Sequence, residues 1–338
     1  GDNTSIGDTV DYSLRSDEIK VDLSNNEVIV DTSGDDVFDG SDEKDTLSNI
    51  ENVIATNGND TIIANSSSNA VYANAGDDTI RFNEKSHTLG DFIDGGEGSE
   101  TSGDTIDYSL VNESVELTLG DADIATNVLI NNVNDHQIKN IENVKGTNLA
   151  DSITGNTENN IIDGNNGNDI LSGNAGDDTL DGGADNDTLS GGAGNDKLTG
   201  GSGIDTADYS SATEDLTVDI TDGTKFISAS QGTDTFSSIE GVMGGSGNDI
   251  LTGNTGANTL VGNAGNDTLL GKGATSGVDF LDGGIGQDFV SFSDVTGSGI
   301  TVDLSVTGEQ DTNADNTNDL IIRNIENIEG SNQNDVIT

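Results

Sequence analysis

A nine-residue period governs this chain and leaves it few folds to choose from. From Gly146 to Asp208 the sequence runs through seven frames without a gap: GTNLADSIT, GNTENNIID, GNNGNDILS, GNAGDDTLD, GGADNDTLS, GGAGNDKLT and GGSGIDTAD. Position 6 holds Asp151, Asn160, Asp169, Asp178, Asp187, Asp196 and Asp205, and position 8 is apolar in each frame, from Ile153 to Ala207. One inward side chain per frame cannot close a core alone, so successive frames must stack and share one. The period returns in GGSGNDILT, GNTGANTLV and GNAGNDTLL from Gly244, then after a twelve-residue frame in GGIGQDFVS; these place Asp249, Asn258, Asp267, Asp279 and Asp288 at the equivalent position. An earlier set from Ala55 to Arg81 supplies Asp60, Asn69 and Asp78, and GSNQNDVIT at the end supplies Asp335.

Composition agrees with a stack and poses a problem for it. Proline is absent from the 338 residues, as expected where nearly every backbone N–H is needed in a ladder. The 46 glycines fit frequent tight turns. Apolar residues are only 30% of the chain, aromatics 4%, and the formal charge is -52. That combination marks a chain that stays disordered unless something neutralises it. A surface this acidic repels phosphate backbones and anionic lipid, which argues against nucleic acid and direct membrane insertion and in favour of cations. There is no cysteine, hence no disulfide framework or thiolate metal site. The sequence has no run of apolar residues long enough to span a bilayer, and Gly1-Asp2-Asn3 does not open a signal region.

The frames resemble GGxGxDxUx, the nonapeptide of the RTX calcium-binding proteins, and the repeat arrays of large secreted RTX adhesins and S-layer proteins in particular. The resemblance implies an all-β fold: a right-handed parallel β-roll, or β-helix solenoid, with calcium bound in stacked turns. Six residues of each frame would turn and bind calcium, and three would form a strand. The position-6 residues named above would be the ligands, together with Asp104, which opens a longer unit as Asp205 and Asp288 do. The chemistry agrees independently. Calcium takes oxygen ligands in flexible geometry, so carboxylates and glycine-turn carbonyls suit it better than they suit zinc or copper. Asn69, Asn160 and Asn258 would be weaker, neutral ligands, and Ala55, Ala64 and Ala73 replace the first turn glycine, which puts the sites near residues 64–72 in question.

A longer pattern surrounds the short one. DTVDYS at Asp8, DTIDYS at Asp104, DTADYS at Asp205 and DFVSFS at Asp288 are each followed by an alternating strand, near Val21, Val115, Val218 and Val302. Each leads to an IEN-like segment at Ser48–Val53, Lys139–Val144, Ser237–Val242 or Arg323–Ile328. These starts divide the chain into superunits 1–103, 104–204, 205–287 and a partial 288–338, expected as one solenoid cut from a longer array. The longer segments read as strands in wider coils of the same stack. Ile50, Val53, Ile141, Val144, Ile239, Val242, Ile325 and Ile328 would face inward, and Glu51, Glu142, Glu240 and Glu326 outward, as solvated acids in preference to calcium ligands. The segment from Asp311 has acids and amides spaced like an EF-hand loop, but its twelfth residue is Ile322, so a plain polar turn is favoured.

No catalytic constellation is visible: His87 and His136 lie apart in polar segments, and abundant carboxylates already have a place in the repeat. The expectation is a non-catalytic, calcium-dependent structural module of a secreted protein on the bacterial cell surface, an S-layer protein or adhesin. Its partners would be calcium ions, then other copies of itself in a lattice or filament, or a cell-surface glycan. The alternatives are a non-catalytic C-terminal module of a secreted enzyme or toxin, and an ice- or carbohydrate-binding solenoid presenting the threonines of position 7. If the family's type I secretion applies, folding follows export, on meeting calcium outside the cell.

Overall fold

A computed structural model of the chain describes residues 7–32, 42–83, 90–96, 98, 100–221, 223–272, 278–293, 299–306, 308–310 and 320–338. His87 and the EF-hand-like stretch 311–319 lie outside the described residues. Every regular element among the described residues is a strand, most of them three or four residues long, and they fall into two compact units, Gly1–Ala175 and Gly176–Thr338.

In the first unit the nine-residue frame becomes half a coil. Each three-residue strand centres on position 8 and pairs in parallel with the strand one coil away, so Ile62 lies beside Ile80 and Ile153 beside Leu171, each eighteen residues on. One sheet stacks Val21, Ile62, Ile80, Ile106, Val144 and Ile162 into a single inward column. The facing sheet carries Val53, Val71 and Ile93, continued by Ile138. All of these are buried. The second unit repeats the arrangement, with Ala207, Val242, Leu260, Leu281 and Ile322 in one column and Val218, Leu251, Leu269, Val290 and Ile328 in another. The architecture is a parallel β-roll. One buried aliphatic side chain per nine ordered residues is thin compensation for lost backbone entropy, so the turns must contribute more than connection.

The longer segments depart from the expected wider coils. Their first strands do join the stack, as Lys20 beside Thr61 and Glu116 beside Ser152 show. Their middles instead fold back as antiparallel ribbons: Ile19–Asp22 pairs with Glu27–Val30, Val115–Thr118 with Thr126–Ile130, and Gly223–Ser228 with Gly232–Ser237. The alternation of apolar residues is common to both pairings, and the reversal is set by turns such as Asn131-Asn132, both left-handed, which join adjacent strands. Of the IEN positions, Val53, Ile141, Val144, Ile239 and Val242 are buried as expected, whereas Ile50, Ile325 and Ile328 are half-buried.

The DYS tyrosines explain what holds the ribbons down. Tyr12 donates its hydroxyl to Asp45 Oδ2 at 3.0 Å and Tyr209 donates to Asp234 Oδ2 at 2.6 Å. Tyr108 lies 2.6 Å from His136 Nε2, and His136 Nδ1 lies 2.9 Å from Asp135 Oδ2. His136 is therefore not the isolated residue of a polar segment that the sequence suggests: it is buried, and Phe82 stacks on both its ring and that of Tyr108. Asp, His and hydroxyl stand in the order of a hydrolytic relay, but Tyr108 is completely enclosed, so the chain of bonds anchors the ribbon. Tyr108→Phe should leave a buried ring nitrogen without its partner and cost about 1–3 kcal/mol, read as a lower thermal midpoint in calcium. An unchanged midpoint would show the bond to be idle.

Candidate metal centre

Position 6 immediately precedes the strand, so its side chain folds under the turn and is buried; this holds for Asp60, Asn69, Asp78, Asp104, Asp151, Asn160, Asp169, Asp178 and Asp187. It holds equally for Asp196, Asp205, Asp249, Asn258, Asp267, Asp279 and Asp288, while Asp335 is half-buried. Stacking brings these residues into rows along the edges. In each row one carboxylate oxygen accepts the backbone N–H of the residue one coil earlier: Asp78 Oδ1 from Asp60 at 2.6 Å, Asp196 Oδ1 from Asp178 at 2.9 Å, Asp205 Oδ1 from Asp187 at 2.8 Å and Asp267 Oδ1 from Asp249 at 2.8 Å.

The second oxygen separates two kinds of turn. In the first kind, the position-2 N–H of the same turn caps the position-6 side chain: Thr56 to Asp60, Thr147 to Asp151 and Gly245 to Asp249, all at 2.7 Å. The three asparagines are capped likewise by Asn65, Asn156 and Asn254. Their Nδ2 groups donate to the backbone carbonyls of Glu51, Glu142 and Glu240, a bond no aspartate could make. None of these six position-2 residues has a positive φ. Asp335 fits neither kind cleanly: Ser331 Oγ donates to its Oδ1, the same oxygen that accepts the Ile300 N–H. In the second kind, position 2 is left-handed: Asn74, Asn165, Asn174, Gly183, Gly192, Gly201, Asn263, Lys272 and Gly284. The sign of φ there decides whether the N–H or the other side of the peptide faces the carboxylate, and glycine and asparagine tolerate the inversion. In five of these turns, Oδ2 of Asp78, Asp196, Asp205, Asp267 and Asp288 is buried with no hydrogen-bond partner. Asp104, at the end of a ten-residue turn in which Gly96 is left-handed, shares that state.

Burying a carboxylate is costly, and the cost shows in both kinds of turn, since burial also pushes the capped Asp60 up to about 6. Burial pushes the Asp78 carboxyl up to about 9 and the Asp104 carboxyl up to about 8, with neighbouring carboxylates adding to the rise. Burial likewise lifts Asp196 and Asp267 to about 6. Among the described residues no basic side chain forms an ion pair with any of these six. Oxygen-only surroundings, excess negative charge and oxygens left over after all hydrogen bonds are made fit a hard divalent cation such as calcium.

The IEN glutamates, expected to face outward, are half-buried at Glu51, Glu142 and Glu240 and exposed at Glu326, and their carboxylates also reach the ends of the same rows. Glu51 Oε2 accepts the N–H of Asp8 at 2.8 Å, Glu142 that of Asp104 at 2.7 Å, Glu240 that of Asp205 at 3.0 Å and Glu326 that of Asp288 at 2.9 Å. Each stands where the next aspartate of a row would stand. The signal was present in the sequence as a fixed pairing of every DYS unit with a glutamate further on, but spacing alone does not show that the two meet.

Parallel strands joined by turns that aim buried carboxylates at uncapped space define a cation-binding β-roll. The chain belongs to the RTX calcium-binding nonapeptide repeat family, whose model matches residues 23–49, 50–83, 145–180, 172–207, 243–273 and 274–292, slightly more than half of the chain. No curated protein sequence gives a significant match. No helix among the described residues is long and apolar enough to cross a membrane.

Proposed function

We propose that the chain is a calcium-dependent structural module of a large secreted protein of the bacterial cell surface, an S-layer protein or adhesin, that folds when it meets calcium outside the cell. The observation that carries this reading is the set of six buried, partnerless carboxylate oxygens on Asp78, Asp104, Asp196, Asp205, Asp267 and Asp288. The ligands in the nonapeptide turns are assigned by turn type: Asp78, Asp169, Asp178, Asp187, Asp196, Asp205, Asp267, Asp279 and Asp288, each in a turn whose second residue is left-handed. The reading leaves Asp60, Asn69, Asp151, Asn160, Asp249 and Asn258 outside this set, since the position-2 N–H of each one's own turn already bonds its side chain; turn type does not assign Asp335.

The ions act as counter-charge and as mortar. Between stacked turns, each would replace repulsion among carboxylates with attraction to all of them, and each would tie one turn to the next. A scaffolding role accords with the recurrence of the same tyrosine–aspartate and aspartate–glutamate pairings along the chain. Equilibrium dialysis against calcium, read by atomic absorption, tests the assignment: several ions per chain are expected at saturation. A chain that retains none is not a calcium module.

A further inference from the structure

Three carboxylates converge at a place the family match does not reach, between its segments 50–83 and 145–180. Glu100, Asp104 and Glu142 each bring a ligand oxygen to within 4.8 Å of the others, and they form the one such acidic group among the described residues. Asp104 is completely buried, its Oδ1 takes the Asp78 N–H at 2.7 Å, and its Oδ2 has no hydrogen-bond partner. We propose that Glu100, Asp104 and Glu142 together hold a divalent cation, calcium by the hardness of the oxygens, at a site built outside the nonapeptide pattern.

The turn that builds it is ten residues long, Gly95 to Asp104, where a nonapeptide turn has six. Glu100 is the sixth residue of the sequence GGEGSE, and four more residues lead to Asp104, which directly precedes the strand Thr105–Asp107 and accepts the Asp78 N–H as a position-6 aspartate does. The extra residues are tied down: Asp77 Oδ1 accepts the N–H groups of Thr101 at 2.7 Å, Ser102 at 2.9 Å and Gly103 at 3.1 Å. That clasp fixes the segment directly after Glu100. Gly103, with φ +77°, passes so close to Glu142 that a Cβ there would lie 2.7 Å from Glu142 Cβ. A neutral oxygen is also at hand, since a Cβ on Gly95 would lie 2.0 Å from the Asn140 carbonyl oxygen and 2.3 Å from Asp104 Oδ2.

Oxygens separated by up to 4.8 Å can share one ion, because calcium ligands sit about 2.3–2.6 Å from the metal and opposite ligands therefore about 5 Å apart. Without a cation the three charges oppose one another in a partly dry setting; the charges of Glu142 and Glu100 add to burial in raising the Asp104 carboxyl. The equivalent Asp205–Glu240 and Asp288–Glu326 pairs do not belong to a three-carboxylate group of this kind among the described residues. The site thus pins one junction between a nonapeptide block and a DYS unit.

The test is calcium stoichiometry of the full chain by equilibrium dialysis, wild type against Glu100→Gln, with circular dichroism in saturating calcium as the folding check. One ion fewer per chain with an unchanged spectrum is expected. Glu142→Gln, which keeps an oxygen for the Asp104 amide, reads the same ion from a second ligand, so one variant decides if the other does not fold. An unchanged ion count in the folded variants overturns this site while leaving the nonapeptide turns untouched. A wild-type chain that binds no calcium at all overturns both readings.

Discussion

Chelating calcium at pH 8 should abolish the β-sheet signal of this chain in circular dichroism, and restoring calcium should bring it back. A site saturated a hundredfold above its dissociation constant contributes about 2.7 kcal/mol to the folded state. A handful of such sites therefore equals the whole stability of an ordinary domain, about 5–15 kcal/mol. Removing the ions also exposes the cost they hide, which sets an unusual pH dependence for the metal-free chain. Burial lifts the carboxyls of Asp78 to about 9, Asp104 to about 8 and Asp234 to about 7, against an ordinary value of 3.8. The folded state thus holds protons that the unfolded chain releases, and metal-free stability falls as pH rises from about 4 through that range. In chelator, acidification from pH 8 to pH 5 should recover part of the β signal, the proton doing the calcium's work. With calcium present the same acidification should weaken binding, since proton and metal compete for the same oxygens. A spectrum that is insensitive to chelator at pH 8 contradicts the whole scheme.

How much of this could be read from the sequence depends on which bond is in question. The nine-residue period specified the parallel stack, the inward column and the burial of position 6, because each follows from one strand per frame. The turn types were not legible. GGSGND at Gly244–Asp249 matches the repeat motif at every position, yet its Gly245 N–H caps Asp249. The cause lies one coil away. Beneath this turn runs the loop after Tyr209, not another nonapeptide, and its Ala212 carbonyl and Asp215 carboxylate take the N–H groups of Ser246 and Asn248. A turn's capacity for an ion is thus a property of the pair of turns, which a single frame cannot encode. The IEN glutamates escaped for the same reason, since each acts on an aspartate 35 to 43 residues earlier. The asparagines mislead in the opposite direction. They resemble weakened ligands until their Nδ2 bonds to the glutamate carbonyls are seen, and only an amide can donate there while accepting from its own turn.

Two isosteric substitutions should separate the turn types completely. Asp196→Asn keeps an oxygen for the Asp178 N–H, 2.9 Å away, but replaces the partnerless Oδ2 with an NH2 group that would face the cation. It should lose at least one bound calcium and raise the calcium concentration needed for folding several-fold; a tenfold rise corresponds to about 1.4 kcal/mol. Asp249→Asn acts in the other direction. Asp249 uses both oxygens inside the protein, Oδ1 for the Leu216 N–H at 2.9 Å and Oδ2 for that of Gly245 at 2.7 Å. An amide can satisfy one and must turn its own N–H toward the other, at a cost of about 1–3 kcal/mol for the stranded donor. Its thermal midpoint in saturating calcium should fall while the number of ions bound stays at the wild-type value. Calcium lost from Asp249→Asn, or retained in full by Asp196→Asn, would mean that the handedness of the second turn residue does not govern which carboxylates meet the metal.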